Sequence, residues 1–440
     1  MQSNVSWKEL SLGDVIELKR GYDLPKGKRS IGMIPIVSSS GISDFHSEAM
    51  VKGPGVVTGR YGTIGEVFFI DGDFWPLNTT LYVRDFKGND PRFISYFLRV
   101  LDFQAYSDKG AVPGVNRNHL HTAKVRIPAL PVQKAIARVL DALDSKIDLN
   151  CHINQTLEAM AQAIFKSWFV DFDPVKAKIA AIEQGQDPLR AAMRAISGKT
   201  DAELDQMPRE HRDELAATAA LFPDAMEESE SEEIPKRWGA STIGEMVEIA
   251  GGATPDTKNE SYWNPPEHFW TSPKDLSGAQ SPVLLATERR ISSAGLSRIG
   301  SGLLSKGTLL MSSRAPIGYL AITQIPVAIN QGYIAMLPGG KLPPLYLLLW
   351  CQQNMEEIKG QANGSTFMEI SKKAFRPMPV IYPGSDLMGI FVEAVTPLFE
   401  QLVAKVKESS QLTELRDALL PRLLSGELTV PSDLNDEESQ

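Results

Sequence analysis

Residues 7–21 read WKELSLGDVIELKRG and residues 238–252 read WGASTIGEMVEIAGG. At a constant offset of 231 they pair Trp7 with Trp238, Gly13 with Gly244, Glu17 with Glu248 and Gly21 with Gly252. Leu12/Ile243, Asp14/Glu245, Ile16/Val247 and Leu18/Ile249 match in kind. A chain that begins twice must build one scaffold twice, so this repeat limits the architecture more than any local motif.

The repeat continues. GVVTGRYGTIGEVFF (55–69) lies over TLLMSSRAPIGYLAI (308–322), and PLNTTLYV (76–83) over AINQGYIA (328–335), pairing Asn78 with Asn330. DPRFISYFL (90–98) lies over PPLYLLLWC (343–351), with Pro91 and Pro344 suited to a first helical turn, where a missing N–H costs nothing. The offset grows from 231 to 253, so the second copy carries about 22 extra residues, placed largely in 253–307.

Each copy then ends in a helical pattern. Ile136, Leu140, Leu143, Ile147, Asn150, Asn154, Leu157, Ala161, Ile164 and Trp168 alternate steps of four and three, the spacing of a coiled-coil seam. Adding 255 gives Phe391, Val395, Leu398, Leu402, Lys405, Ser409, Leu412, Arg416, Leu419 and Leu423. An antiparallel pair would bring Asn150 near Ser409 and Asn154 near Lys405 in a polar layer that fixes register. Helices of about 38 residues would be about 57 Å long.

The segments are therefore a first domain (1–130), a long helix (131–170), an acidic helical insertion and linker (171–235), a second domain (236–384), a second long helix (385–425) and a tail (426–440) expected to be disordered. Within the insertion, DPLRAAMRAISG, the capping box TDAE and REHRDELAATAALF predict short helices, and EESESEE (227–233) a solvated acidic linker. The net charge of −9 is unevenly spread. Residues 1–130 carry +3, 131–170 carry 0, 171–240 carry −7, 241–384 carry +2 and 385–440 carry −7. Mildly basic repeats permit a polyanionic partner without requiring one. Two cysteines, Cys151 and Cys351, make no disulfide framework. The N-terminus lacks a signal-peptide pattern and no run approaches the roughly 18 apolar residues of a membrane span, so a cytoplasmic protein with no membrane association is expected.

Motifs that carry chemistry fail on context. NPPE (264–267) places Glu267 where an amino-methyltransferase turn needs an aromatic ring. GYDLPKGKRS (21–30) has the wrong glycine spacing for a phosphate-binding loop; Glu17-Leu18-Lys19 has only Asp14 nearby, too close to serve as its metal partner, and Glu357-Ile358-Lys359 follows the predicted helix of LYLLLWCQQN. The six histidines show no zinc-ligand spacing, and His119 and His121 are expected to alternate along an extended run. What differs between the copies is polar and lies in predicted loops. In the first copy the candidates are Lys26, Lys28, Arg29, Ser39, Arg60, Tyr61, Asn116, Arg117, Asn118 and His119. In the second they are Lys258, Asn259, Ser272, Lys274, Arg314, Gln331, Ser365, Lys372 and Lys373. These residue types reach phosphates and base edges.

The doubled W-x4-L/I-G-D/E opening, GRYGTIG with PLNTTLYV, SSRAPIG with INQGY, ALPVQKAIARVLDALDSKIDLN with LEAMAQAIFKSWFVDFDP, and LTELRDALLPRLLSGEL cover nearly the whole chain. In this order and twice over, they resemble the specificity (S) subunit of Type I restriction-modification enzymes. The resemblance implies an α/β (α+β) fold: two similar target recognition domains separated by two long antiparallel coiled-coil helices, related by an internal pseudo-twofold repeat. It further implies a non-catalytic subunit binding double-stranded DNA, each domain reading one half of a bipartite asymmetric site. The helices would fix the spacer and dock two modification subunits. This chain would bind no cofactor; S-adenosylmethionine, ATP and Mg would belong to the modification and the restriction (translocase) subunits. Two alternatives remain at this point, a self-contained DNA methyltransferase or nuclease and a coiled-coil adaptor without DNA contact.

Overall fold

The computed structural model describes residues 7–107, 114–228, 233–364 and 368–430. It divides into two units, residues 1–148 with 409–440 and residues 149–408. Ser365 and the acidic tail beyond Val430 lie outside the described residues.

In the first unit, strand Lys8–Ser11 pairs antiparallel with Lys124–Ile127, and the chain then turns through the short helix Leu12–Val15, whose capping box joins Ser11 to Asp14. An antiparallel sheet follows in the order Glu17–Arg20, Thr80–Asp85, Gly55–Gly59, Val67–Ile70. A smaller sheet sets Ile34–Ser38 between Gly41–His46 and the parallel strand Trp75–Pro76. Helix Pro91–Arg99 opens with proline, is capped by Asp90, which accepts from Phe93 N (2.7 Å), and buries Phe93, Ile94, Phe97 and Leu98.

The second unit repeats this order. Gly239–Thr242 pairs with Pro379–Tyr382. Ile249–Ala250, Tyr333–Met336, Leu309–Ser312 and Leu320–Thr323 form the larger sheet, extended by Val283–Leu284. His268–Thr271 lies between Arg289–Ile291 and the parallel strand Ala328–Ile329.

Two matched glycines follow from this scaffold. A Cβ on Gly21 would lie 2.2 Å from Leu77 O and one on Gly252 1.8 Å from Ile329 O, so in both copies only glycine admits the crossing strand. A Cβ on Gly13 would likewise lie 3.1 Å from His121 Cβ, and one on Gly244 2.8 Å from Arg376 Cβ.

The strand pairing corrects one sequence match. Leu77 N donates to Val37 O and Asn330 N to Thr271 O (2.8 and 3.0 Å), so Leu77 corresponds to Asn330 and Asn78 to Gln331. The same pairing matches Ile36 with Trp270 and places most of the second copy's added residues after Thr271, where Val283–Leu284 and the helix Ser293–Leu296 are found.

The long helices are Leu130–Phe169 and Ser385–Ser425, of 40 and 41 residues. They pair antiparallel: in the first unit Arg416 meets Asp144 (2.8 Å), and in the second Asn150 meets Glu408 (3.2 Å) while Leu157 shares a core with Leu402 and Val403. Each unit's core takes the start of one helix and the end of the other. Ile136 and Leu140 pack with Leu420, Leu423 and Leu424 in the first; Phe391 and Val395 pack with Phe165, Trp168 and Phe169 in the second. The two opening tryptophans sit at equivalent places, Trp7 beside Gly426 and Trp238 against Phe169 and Phe172 (ring centroids 5.9 and 5.7 Å). Helix Ser385–Ser425 is long and apolar enough, by length and composition alone, to cross a membrane. Its residues Phe391, Val395 and Leu402 are buried in protein contacts.

Residues 173–221 form the helices Asp173–Glu183, Pro188–Ser197, Asp201–Gln206 and Arg209–Leu221 around a small core of Ala192, Met193, Leu204 and Ala219. The expected acidic linker is in part a hairpin, Met226–Glu228 antiparallel to Glu233–Pro235, because Ile234 and Pro235 are apolar enough to be buried.

Candidate nucleic-acid interface

The loops that follow equivalent strands are tied together by equivalent hydrogen bonds in the two copies. In the first, the chain leaving strand Gly55–Gly59 is held by Arg60 N to Thr79 O (2.9 Å) and by Val115 N to Arg60 O (3.1 Å). In the second, Ser313 N to Gly332 O (2.8 Å) and Ile370 N to Ser313 O (3.0 Å) repeat both bonds. Tyr61 bridges to Gly114 and Arg314 to Glu369. Arg60 and Tyr61 are thereby brought to Asn116, Arg117, Asn118 and His119, and Arg314 to Lys372 and Lys373. Ser39 joins the first group: its backbone oxygen lies 3.2 Å from the position a Cβ would take on Gly59.

A further contact is shared in geometry and changed in chemistry. Asn78 Nδ2 donates to Asp23, and at the equivalent position Thr254 Oγ1 donates to Gln331 Oε1 (2.6 Å). Asp23 and Asn78 were missed by sequence reasoning, which matched Asn78 to the wrong asparagine. The strand register was the signal that could have found them.

The arginines of the two groups are held differently. The Arg60 guanidinium lies 4.6 Å from the Tyr61 ring, and its Nε donates to Val115 O (3.4 Å). Arg314 stands 3.6 Å from Glu369 with both side chains partly exposed, a contact worth at most about 1 kcal/mol. Asn116 caps the helix Arg117–His121 through Asn118 N (3.0 Å), as Ser371 caps Lys372–Phe375 through Ala374 N (3.1 Å). His119 and His121 are therefore helical, not extended, because the Asn116 cap starts a turn there. Burial holds the His121 ring below the usual histidine range, and its Nε2 accepts from Leu18 N (3.0 Å). Arg376, its equivalent, donates instead to Ile249 O (3.3 Å). Both tie the short helix to the sheet.

Other candidates lie on exposed turns or are committed to partners within their own domain. Lys26 and Lys28 are exposed on a short 3-10 turn. Arg29 is only 16% exposed and pairs with Asp44 (2.7 Å). Asn259 accepts from Ser261 N (3.1 Å) and caps a short turn beside exposed Lys258. Ser272 accepts through its backbone oxygen from Tyr333 OH (2.7 Å), and Lys274 pairs with Glu288 (2.8 Å). Lys372 lies along Gly251, while Lys373 is exposed.

The groups that could have carried chemistry have structural partners. Glu17 pairs with Arg84, Glu267 accepts from Ser293 N and Oγ (2.8 and 2.7 Å), and burial pushes the Cys351 thiol up. Among the described residues no three of His, Cys, Asp and Glu gather as a metal site.

In the helix pair, Asn150 (0% exposed) donates to Glu408, whose carboxylate also takes Lys405 Nζ (2.8 Å). Asn154 is 3% exposed, and its Oδ1 has no hydrogen-bond partner among the described residues. Ser409 is half-buried. The acid at 408, beside the seam, went unread in the sequence.

A family model described as the type I restriction modification DNA specificity domain matches residues 4–159 and again 235–408. The chain belongs to this family. DNA sequence recognition is its function, and the two matched stretches are the two copies of the repeat. It is similar to the type I restriction enzyme HindI specificity subunit of Haemophilus influenzae, at 30% identity over 96% of this chain and 99% of that protein. It is also similar to the MjaIX specificity subunit of Methanocaldococcus jannaschii, at 32% identity over 42% of this chain and 43% of that one. The crystal structure of a type I restriction-modification S subunit from M. genitalium shares the fold, with a TM-score of 0.54 at 16% identity, covering 96% of this chain and 97% of that chain.

Proposed function

We propose that each copy of the repeat reads one half of a split, asymmetric DNA site, the first through Arg60, Tyr61, Asn78 and Asn116–His119, the second through Arg314, Gln331, Lys372 and Lys373. The observation that carries this is the shared scaffold with exchanged loop chemistry. The same hydrogen bonds hold both loop sets, yet Arg60-Tyr61 stands where the other copy has Ser313-Arg314, and Asp23/Asn78 where it has Thr254/Gln331. A duplicated frame with divergent tips suits two different short sequences met in one geometry. The long helices set the distance between half-sites and dock two modification subunits, which bring S-adenosylmethionine. Restriction subunits add ATP- and Mg-dependent translocation and cleavage. The complex works in the cytoplasm, and catalysis lies in those partner chains.

Methylome sequencing of cells expressing this chain with its modification subunit should reveal one bipartite motif. Arg60→Ala should relax only the half read by the first copy, and Arg314→Ala only the other, each at a cost of about 1–3 kcal/mol. Methyl transfer by the purified chain alone would overturn the assignment of catalysis to partners, and equal relaxation of both halves by either variant would overturn the division of reading.

A further inference from the structure

Three arginines of the second domain each lie on an aromatic ring. The guanidinium of Arg289 is 3.5 Å from the centroid of Trp263 and 5.4 Å from that of Trp270. Arg290 stands 4.0 Å over Phe269, and Arg298 5.3 Å over Tyr262. All three are exposed. Nearby carboxylates are engaged elsewhere: Glu288 by Lys274, Glu267 by Ser293, and Asp256 by Lys258 N (3.0 Å). A ring beneath a guanidinium restricts its motion and occupies one face, and an exposed guanidinium so held keeps N–H donors for an anion.

The platform is rigid and joined to the reading loops. Trp270, Ile291, Ile299 and Ala328 form a core against which Trp263 packs edge-on to Trp270 (5.3 Å, 88°). Trp270 Nε1 donates to Ala253 O (3.2 Å) and Trp263 Nε1 to Asp256 O (3.1 Å), which fixes the loop carrying Thr254, the partner of Gln331. The matching strand of the first copy carries no arginine. Arg289 pairs with Trp270 as Asp44 pairs with Ile36, so the basic strand Arg289–Ile291 occupies the place of Asp44, Phe45 and His46. That strand instead shows an acid held by Arg29 and the half-exposed Phe45.

We propose that Arg289, Arg290 and Arg298 are a phosphate-binding stripe of the second domain, gripping the DNA backbone beside its half-site. Phosphate is the fitting ligand because the three exposed charges are spread from the strand Arg289–Ile291 past the helix Ser293–Leu296 to Arg298, a run of cations suited to successive backbone phosphates. This rests on the half-site reading above.

The test is the salt dependence of binding by the full chain assembled with its modification subunit, on a duplex carrying its methylated motif. Each lost phosphate contact lowers the slope of log K against log salt by about 0.9. Combined replacement by alanine should therefore reduce the slope by about 2–3 and leave the sequence motif unchanged, whereas combined replacement by lysine, which keeps the charge, should restore most of it. An unchanged slope in the alanine variant, or relaxation of one base pair with the slope intact, overturns the stripe while half-site reading by Arg60 and Arg314 stands. Should the unaltered assembly bind no duplex, the half-site reading itself fails.

Discussion

Glu158 sits on the first long helix where that helix meets the second domain, and it lines a mostly apolar pocket with Leu157, Ala161, Pro282, Gln352, Val395 and Leu398. Burial pushes its carboxyl up to about 7, against a hydrogen bond with Ser281, and Oε1 has no hydrogen-bond partner among the described residues. An unfolded glutamate titrates near about 4.3, so the folded state holds its proton longer. The resulting stability is full below the unfolded value and is lost as pH rises through about 7. Glu158→Gln should therefore leave melting of the full chain little changed at pH 5 and raise it at pH 8; an equal shift at both would show that the group does not titrate in this range. In the sequence Glu158 is an ordinary polar residue beside the seam. What buries it includes Pro282, in the segment the second copy adds, and no repeat pattern could reveal that. Gly21 and Gly252, by contrast, were legible as matched residues because a strand crosses both at carbonyl contact.

The long helices were legible as elements because a seam of fours and threes persists through ten positions in both. Their polar layer was read in outline only. Asn150 and Asn154 are buried, but the carboxylate receiving Asn150 and Lys405 is Glu408, which the seam spacing skips. The Asn154 amide oxygen, without a hydrogen-bond partner among the described residues, costs about 1–3 kcal/mol, and the gain from accepting that cost is a fixed register. Replacing both Asn150 and Asn154 by leucine should raise the melting temperature while broadening the distance distribution between spin labels on the two helices. A single narrow distribution would deny the layer its role in register. Shorter elements were less legible: the Arg117–His121 helix depends on one asparagine cap, and the register error at Asn78 arose because Asn330, one residue away, offered a false identity.

At the scale of the molecule, each unit's core needs both helices, since Leu420, Leu423 and Leu424 complete the first domain and Phe165, Trp168 and Phe169 the second. The repeat therefore predicts more than two similar domains, because neither copy buries its apolar surface with its own residues alone. The sequence showed the doubled scaffold and the matched seams but not this exchange, which depends on pairing residues far apart in the chain. If the helices set the spacing of two half-sites, lengthening both must lengthen the gap in the DNA motif. Seven residues add about 10.5 Å of helix, close to three base pairs at about 3.4 Å each. The decisive measurement is the methylome of cells carrying a chain with one heptad inserted at equivalent points of both helices. The predicted result is the same two half-sites separated by about three more base pairs; an intact motif with its original gap would contradict the account.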